Sequence, residues 1–194
     1  MNQRPGNLYI VMVDHGLPDQ FFIDPDVITA QDLKLWLDEL ENRLEPQAEE
    51  QHIVLILGFC HSGSFIDDVS GSHRIVITSA AADDFSYKGP LDSDNVREGE
   101  FFVAEFFKKI AWGKTIRESF IEAVDLTEQF TQSTGMGSIN APPYFDRSEQ
   151  HPLLDDNGDK IGSNNLLESS TDGIATYDFV IGVSTMKHSQ AFPQ

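Results

Sequence analysis

The amino-acid sequence predicts a three-layer α/β/α sandwich built on a mainly parallel β-sheet. Residues 8–13 and 52–59 form two continuous apolar runs that lack the alternation of a half-exposed strand, as expected for strands buried on both faces. A third strand is indicated at 74–79, and an amphipathic segment separates the first two. Strands separated by helices pair in parallel through right-handed crossovers. We therefore expect one α/β domain over residues 1–194.

The first helix signal covers residues 29–44. Leucines recur there at helical spacing, which places one apolar stripe against the sheet. Thr29 and Asp32 match a capping box at its start, and Pro46 marks its end. This segment predicts the first crossover helix. The small residues after the second strand predict a turn into a short second helix.

Further elements are expected after the third strand. Apolar residues recur on one face over about 100–112 and 115–131, which predicts two helices. Residues 132–175 are rich in Ser, Asn, Asp, Gly and Pro and are expected to form a long polar loop, a connection that is usually functional or mobile. The apolar run 177–183 predicts a last strand.

The charge of the chain excludes one class of partner. There are 32 acidic and 13 basic residues, so the formal net charge is −19 and nucleic acid is not expected to bind. The apolar run 8–13 is too short for a membrane span and lacks the features of a secretory signal. We expect a soluble chain with no membrane partner, and export as part of a longer bacterial polypeptide stays open. The single cysteine excludes an intramolecular disulfide.

Reactive residues directly follow two of the predicted strands. His15 and Gly16 come after the first strand, and Cys60 comes after the second. Because the carboxyl ends of neighbouring parallel strands share one rim, His15 and Cys60 are expected to lie side by side. An imidazolium and the start of a short helix would favour a thiolate nucleophile at Cys60, with His15 as its acid and base. The backbone N–H groups of Gly16 and Cys60 are candidates for holding an oxyanion.

A structural interpretation of these residues competes with the chemical one. A lone cysteine is commonly a buried small hydrophobe, and a histidine in a turn is commonly held by local hydrogen bonds. Here, however, one pattern occurs twice: a long apolar strand is followed at once by a reactive residue and a glycine turn. The repetition favours chemistry at His15 and Cys60.

These blocks also resemble a known family. They read Asp-His-Gly at 14–16, Cys-x-Ser-Gly-Ser at 60–64 and Ile-Thr-Ser-Ala-Ala at 77–81. Their order is similar to that of the legumain-like branch of the caspase-fold cysteine peptidases, including its bacterial members, over about residues 8–124. The resemblance implies a caspase-like fold that here lacks the first strands of the family. It also implies a catalytic histidine at His15, a nucleophile at Cys60 and hydrolysis through a thioester acyl-enzyme.

The resemblance further implies how a substrate is read. It matches residues 84–87 to the loop that lines the pocket for the P1 side chain, which precedes the cleaved bond, and Glu100 to an acid at the base of that pocket. Asp84, Ser86 and Glu100 are therefore substrate-binding candidates, and a carboxylate there suits Arg, Lys or Asn. Glu100 is equally well explained as an acid at a helix N-terminus. The Gly-Phe pair at 58–59 departs from the Glu-Ala usual in the family, which removes one acid near the pocket.

Two kinds of metal site can be weighed. Asp155, Asn157 and Asp159 offer oxygen ligands at alternate positions, as calcium loops do, but Lys160 stands where such a loop needs glycine. A polar turn explains these residues better, and calcium stays a weak alternative. No paired Cys or His spacing supports zinc. We therefore expect neither a metal nor a cofactor.

The sequence thus predicts a cysteine endopeptidase that acts on a peptide or protein and is able to process itself within the long polar loop. The alternative, from another class, is a non-catalytic caspase-fold binding module of a larger surface or secreted protein. Without the front strands of the family, the strand 8–13 would lie at an exposed edge. A homodimer or a missing N-terminal segment is expected to cover that edge.

Overall fold

The structure is a computed structural model that describes residues 6–44, 51–90, 99–132, 150–168 and 171–182. In chain order its elements are β1 (Leu8–Val13), β2 (Gly16–Leu17), β3 (Gln20–Ile23), β4 (Asp26–Thr29), α1 (Ala30–Arg43), β5 (Ile53–Gly58), a 3-10 turn (Ser62–Phe65), α2 (Ile66–Val69), β6 (Arg74–Thr78), α3 (Phe101–Ala111), α4 (Ile116–Gln132) and β7 (Leu153–Asp155).

The main sheet has the strand order β1-β5-β6-β7. β1 pairs in parallel with β5, so that Val13 lies opposite Gly58, and β5 pairs in parallel with β6. β7 runs antiparallel to β6, with Leu153 opposite Thr78. The mainly parallel sheet is therefore confirmed, with one antiparallel strand at its far edge.

Two apolar cores lie on opposite faces of this sheet. Successive residues of a strand point to opposite faces, so Leu55 and Leu57 enter one core while Val54 and Ile56 enter the other. The first core is completed by α1 and α2 and the second by α3 and α4. Burial of each large aliphatic side chain contributes roughly 1.5–3 kcal/mol. Helices on both faces make the three-layer sandwich that the sequence predicts.

Two of the long helices begin with a capping box, and the one at α1 was predicted. At α1, the Thr29 hydroxyl accepts the Asp32 N–H at 3.0 Å, and the Asp32 carboxylate accepts the Thr29 N–H at 3.1 Å. Thr115 and Glu118 make the same reciprocal pair before α4. Each box satisfies two N–H groups that the helix itself leaves without partners. The predicted helices over 29–44, 100–112 and 115–131 are confirmed.

The prediction of a strand over 177–183 is wrong for residues 177–182, the part that the structure describes. These residues form turns and irregular backbone. Phe179 and Ile181 do pack against the second core, which accounts for the apolar run. The Phe179 carbonyl, however, accepts the Ile116 N–H at 2.7 Å and so closes the start of α4 instead of joining the sheet. Val183 lies outside the described residues.

Two features of the sheets were not predicted. A small antiparallel sheet, β2-β3-β4, follows β1 directly and carries the chain from His15 back to α1. β7 lies within the predicted polar loop of residues 132–175, of which 133–149 and 169–170 are outside the described residues. Both elements are short, and neither shows a long apolar run.

Within the described ranges β1 is an edge strand, and both of its faces carry exposed apolar side chains. Tyr9, Val11 and Val13 are 38%, 48% and 43% exposed on one face, and Leu8 is 40% exposed on the other. An uncovered apolar edge favours pairing with another chain or segment. The expected covering partner stays a prediction. No helix among the described residues is long and apolar enough to cross a membrane.

Candidate active site

The rim formed by the carboxyl ends of β1 and β5 carries the candidate reactive residues. Asp14 and His15 directly follow β1, and Cys60 lies two residues beyond β5. Because the two strands are parallel and end opposite each other, these side chains meet at one cavity of about 290 Å³. The cavity is lined by Val13, Asp14, His15, Gly58, Cys60, Ser86, Tyr87, Lys88, Gly99 and Glu100.

Gly16 allows the chain to pass close to Cys60. A Cβ atom at Gly16 would lie 2.4 Å from Cδ2 of Phe59 and 2.7 Å from the carbonyl oxygen of Cys60. Phe59 is fully buried, with ring centroids 4.9 Å from Phe21 and 5.1 Å from Phe65, so it has little room to move. Only glycine therefore fits at position 16 without a steric clash. Gly16 lies beside the cavity and is not one of its lining residues.

Cys60 is half-buried, and its sulfur faces the loop 84–88. The Ser86 N–H donates to Sγ at 3.4 Å, and the Ser86 carbonyl and hydroxyl oxygens lie 3.7 and 3.8 Å from Sγ. Hydrogen-bond donors directed at an ionised group stabilise its charge. The predicted short helix after Cys60 is present as the 3-10 turn and α2, each four residues long.

Glu100 is the N-cap of α3 and also lines the cavity. The helix N-terminal position is thus observed, and the substrate-binding role of Glu100 stays a prediction. One of its carboxylate oxygens accepts the Val103 N–H at 2.7 Å, as an N-cap does. The other accepts the side-chain amide of Gln150 at 2.6 Å. Glu100 is 7% exposed, and burial raises its pKa to about 7 despite these hydrogen bonds.

Sequence reasoning missed Lys88 and Gln150. Lys88 lines the cavity together with Tyr87, which belongs to the predicted loop 84–87, and Gly58. A Cβ atom at Gly58 would lie 2.6 Å from Cγ2 of Val103, so the space beside this glycine is occupied. Gln150 lies behind the wall, fully buried, and donates to Glu100. A strand end marks His15 and Cys60 in the sequence, whereas no local pattern marks Gln150.

A comparison with known proteins decides the family. The sequence model of the peptidase C13 family matches residues 1–149. The chain belongs to this family. C13 peptidases are the legumain family, so the predicted resemblance is confirmed and a cysteine-peptidase type of function is supported. No curated protein sequence matches the chain.

A solved structure supports the fold of this C13 family member. The crystal structure of caspase-1 from Spodoptera frugiperda superposes with a TM-score of 0.53 at 11% sequence identity. The match covers 76% of this chain and 59% of the caspase chain, so this chain spans less than two thirds of that structure. At this identity the likeness shows the fold alone. The predicted caspase-like fold is confirmed.

Asp84, the third substrate-binding candidate, is not among the residues that line the cavity of this C13 chain. Its carboxylate oxygen Oδ2 accepts the backbone N–H of His151 at 3.0 Å and lies 2.8 Å from the His151 ring nitrogen Nδ1. Its carbonyl accepts the N–H of His61 at 2.8 Å. The structure therefore brings Ser86 and Glu100 to the cavity and directs Asp84 towards His151.

The weak calcium candidates lie away from the cavity. Carboxylate oxygens of Asp155 and Asp159 approach within 4.8 Å of each other and of Asp172, which was not predicted. Asn157 instead donates its side-chain amide to Asp159 and Asp172. Burial, with a contribution from the charge of Asp155, raises the pKa of Asp172 to about 6. These contacts describe a hydrogen-bonded acidic turn, and calcium binding there stays a weak prediction.

Proposed function

We propose that this C13 family member is a cysteine endopeptidase in which Cys60 is the nucleophile and His15 transfers protons. The observation that carries the proposal is the shared cavity. His15 and Cys60, on neighbouring strand ends, line the same opening, and neither is enclosed in the core: His15 is exposed and Cys60 is half-buried. A solvent path to the sulfur is required for any peptide substrate.

The proposed reaction proceeds in two steps. The Cys60 thiolate attacks the carbonyl carbon of the scissile peptide bond, and the His15 imidazolium protonates the departing amine as the C–N bond breaks. Water then attacks the resulting thioester while His15 accepts its proton, and the C–S bond breaks to restore the thiolate. The backbone N–H groups of Cys60 and Gly16 are the proposed oxyanion donors. No cofactor is needed for this balance of atoms and protons.

The proposed P1 preference is for a basic side chain. Glu100 is a carboxylate at the wall of the cavity, whose volume is about 290 Å³. No lysine or arginine forms an ion pair with Glu100 within the described ranges. A buried carboxylate without an ionic partner favours a ligand that carries the opposite charge. Arg and Lys fit this requirement, with Asn as the second choice.

Labelling with peptidyl acyloxymethyl ketones tests the proposal. Probes with Arg, Asn or Asp at P1 are compared on the parent protein, Cys60→Ala and His15→Ala. His61→Ala is the matched histidine control, because the His61 ring is hydrogen-bonded to the Ala82 carbonyl. We expect the Arg probe to label the parent and His61→Ala, and neither of the other variants. Equal labelling of His15→Ala and the parent would remove His15 from the mechanism.

The same proteins test self-processing and the non-catalytic alternative. The proposed cleavage segment lies within residues 132–175, part of which is outside the described residues. Mass spectrometry after prolonged incubation is expected to find cleavage of the parent chain and none of Cys60→Ala. A parent that binds no probe and cleaves no peptide would favour the binding module.

A further inference from the structure

We infer that Gln150 is a positioning residue of the P1 pocket, whose side-chain amide holds the Glu100 carboxylate and the Tyr87 backbone in the arrangement that accepts a cationic side chain. The inference rests on the proposed function for its substrate. Its structural part, the action of Gln150 on Glu100, can be tested without any turnover.

The hydrogen bonds of Gln150 define the orientation of its amide. Nε2 donates to a carboxylate oxygen of Glu100 at 2.6 Å and to the carbonyl of Ser79 at 2.8 Å. Oε1 accepts the N–H of Tyr87 at 3.1 Å. Two acceptors face the nitrogen and one donor faces the oxygen, so a flipped amide would lose all three bonds. The residue is fully buried, which makes each lost bond costly.

These three bonds join separate parts of the pocket. Ser79 directly follows β6, Tyr87 belongs to the loop 84–88, and Glu100 caps α3. The adjacent residue, His151, bonds the same loop through Asp84. Gln150 is 50 positions from Glu100 in sequence and 63 from Tyr87. One side chain thus adds to the link between the loop and the helix start, where the Phe101 N–H also donates to the Tyr87 carbonyl at 2.8 Å.

The bond to Glu100 also favours the charged form of that carboxylate. Burial opposes ionisation and raises the Glu100 pKa to about 7, whereas the N–H groups of Val103 and Gln150 act in the opposite direction. The titratable groups that face the same cavity are Asp14, His15, Cys60, Tyr87 and Lys88. Loss of the Gln150 N–H would remove one of the donors to this carboxylate, and a neutral carboxyl would attract a cation less strongly.

The kinetic test compares two P1 side chains of the same shape. Arginine and its neutral isostere citrulline are placed in otherwise identical peptides, and kcat/KM is measured for the parent, Gln150→Met and the exposed-residue control Gln31→Met. We expect the arginine-to-citrulline ratio to fall about tenfold in Gln150→Met, the effect of one hydrogen bond to a charged group. The ratio should stay at the parent value in Gln31→Met.

A double-mutant cycle separates positioning from general destabilisation. Glu100→Gln should itself lower the ratio, and Gln150→Met added to Glu100→Gln should lower it no further, because Gln150 acts through the carboxylate. Equal effects of Gln150→Met with and without the Glu100 charge would overturn the inference. If Gln150→Met does not fold, Gln150→Asn, whose amide is one methylene shorter, replaces it.

If the protein cleaves no peptide, an NMR titration of Glu100 still tests the role of Gln150. The carboxyl carbon of Glu100, assigned by its loss in Glu100→Gln, is followed against pH in the parent and in Gln150→Met. We expect a higher Glu100 pKa in the variant. If the parent is inactive and the Glu100 pKa is higher in Gln150→Met, the peptidase proposal is wrong and the role of Gln150 is retained. An unchanged Glu100 pKa would refute that role whatever the activity.

Discussion

The backbone N–H of Ser86 donates to the Sγ atom of Cys60 across 3.4 Å. The loop that carries Ser86 is bonded at Tyr87 by Gln150 and at Asp84 by His151. The same loop therefore contacts the proposed nucleophile and forms one wall of the proposed P1 pocket. A change that shifts this loop is expected to alter thiol reactivity and substrate choice together.

Removal of the Ser86 N–H should reduce the reactivity of the sulfur. In Ser86→Pro the donor is lost, and we expect the rate of Cys60 alkylation by iodoacetamide to fall about tenfold, as for loss of a hydrogen bond to a charged group. Ser86→Ala keeps the N–H and removes the hydroxyl group 3.8 Å from Sγ, so its rate should change far less. Circular dichroism checks the fold of both variants. Equal rates in all three proteins would exclude a role for this donor.

Replacement of Gly16 by a larger residue should displace the backbone or side chains around Cys60 through a steric clash. The Cβ atom of Gly16→Ala would meet Phe59 at 2.4 Å and the Cys60 carbonyl at 2.7 Å, and at least one of them must move. We expect a loss of about 2 kcal/mol in the free energy of unfolding, measured by urea denaturation, together with weaker probe labelling of Cys60. Gly6→Ala is the control, since no atom lies within 4 Å of a Cβ there. Full labelling in Gly16→Ala would show that the turn has no fixed position.

The predictable part of the fold rests on residues whose burial is visible locally. Every residue of β5 and β6 is buried, so β5 reads as a continuous apolar run and β6 carries Ile75, Val76 and Ile77 at its centre. By contrast, β7 has three residues and exists because it pairs with β6 across a long stretch of chain. Phe179 belongs to an apolar run yet lies in a turned segment, because its carbonyl is used by α4. Such pairings depend on tertiary contacts that a local pattern does not contain.

The same division applies to the site. His15 and Cys60 could be placed together because parallel strands end at one rim, whatever their separation in sequence. The position of Glu100 was predicted as well, from its likeness to a family motif. Gln150 was not, since its importance comes from three bonds to residues that are distant in sequence. A buried glutamine in a polar stretch has no signature until the loop, the strand end and the helix start are assembled around it.

The buried acid should make stability depend on pH. Glu100 has a pKa of about 7 in the folded chain against 4.5 as its ordinary value, so the folded state holds the proton more tightly. Its contribution is fully present below about pH 4.5 and is lost as the pH rises through about 7, by about 3 kcal/mol in total.

Glu100→Gln tests this dependence, since the amide does not titrate. The difference in unfolding free energy between variant and parent, from urea denaturation at several pH values, should move in favour of the variant by about 3 kcal/mol between pH 4.5 and 8. A difference that is constant over this range would mean that Glu100 titrates normally.

The buried guanidinium of Arg74 should contribute more to stability than an exposed ion pair of the same type. Arg74 is 4% exposed and donates to Asp38 at 2.7 Å and to Glu41 at 2.5 and 2.9 Å, which ties β6 to α1. Its two partners are about a third exposed and can recover water when it is removed, so Arg74→Met should lower the free energy of unfolding by about 2 kcal/mol, less than for a fully buried pair.

The matched control is Arg43→Met, which removes an exposed pair with Glu39 within α1. We expect it to lower the free energy of unfolding by less than about 1 kcal/mol, because solvent screens the attraction and both side chains lose freedom in forming the pair. Urea denaturation of both variants at pH 7, at low and at high salt, gives the comparison. Salt should reduce the effect of Arg43→Met and leave most of that of Arg74→Met, since buried charges are screened less. Equal losses in the two variants would show that the burial of Arg74 adds nothing to the link between β6 and α1.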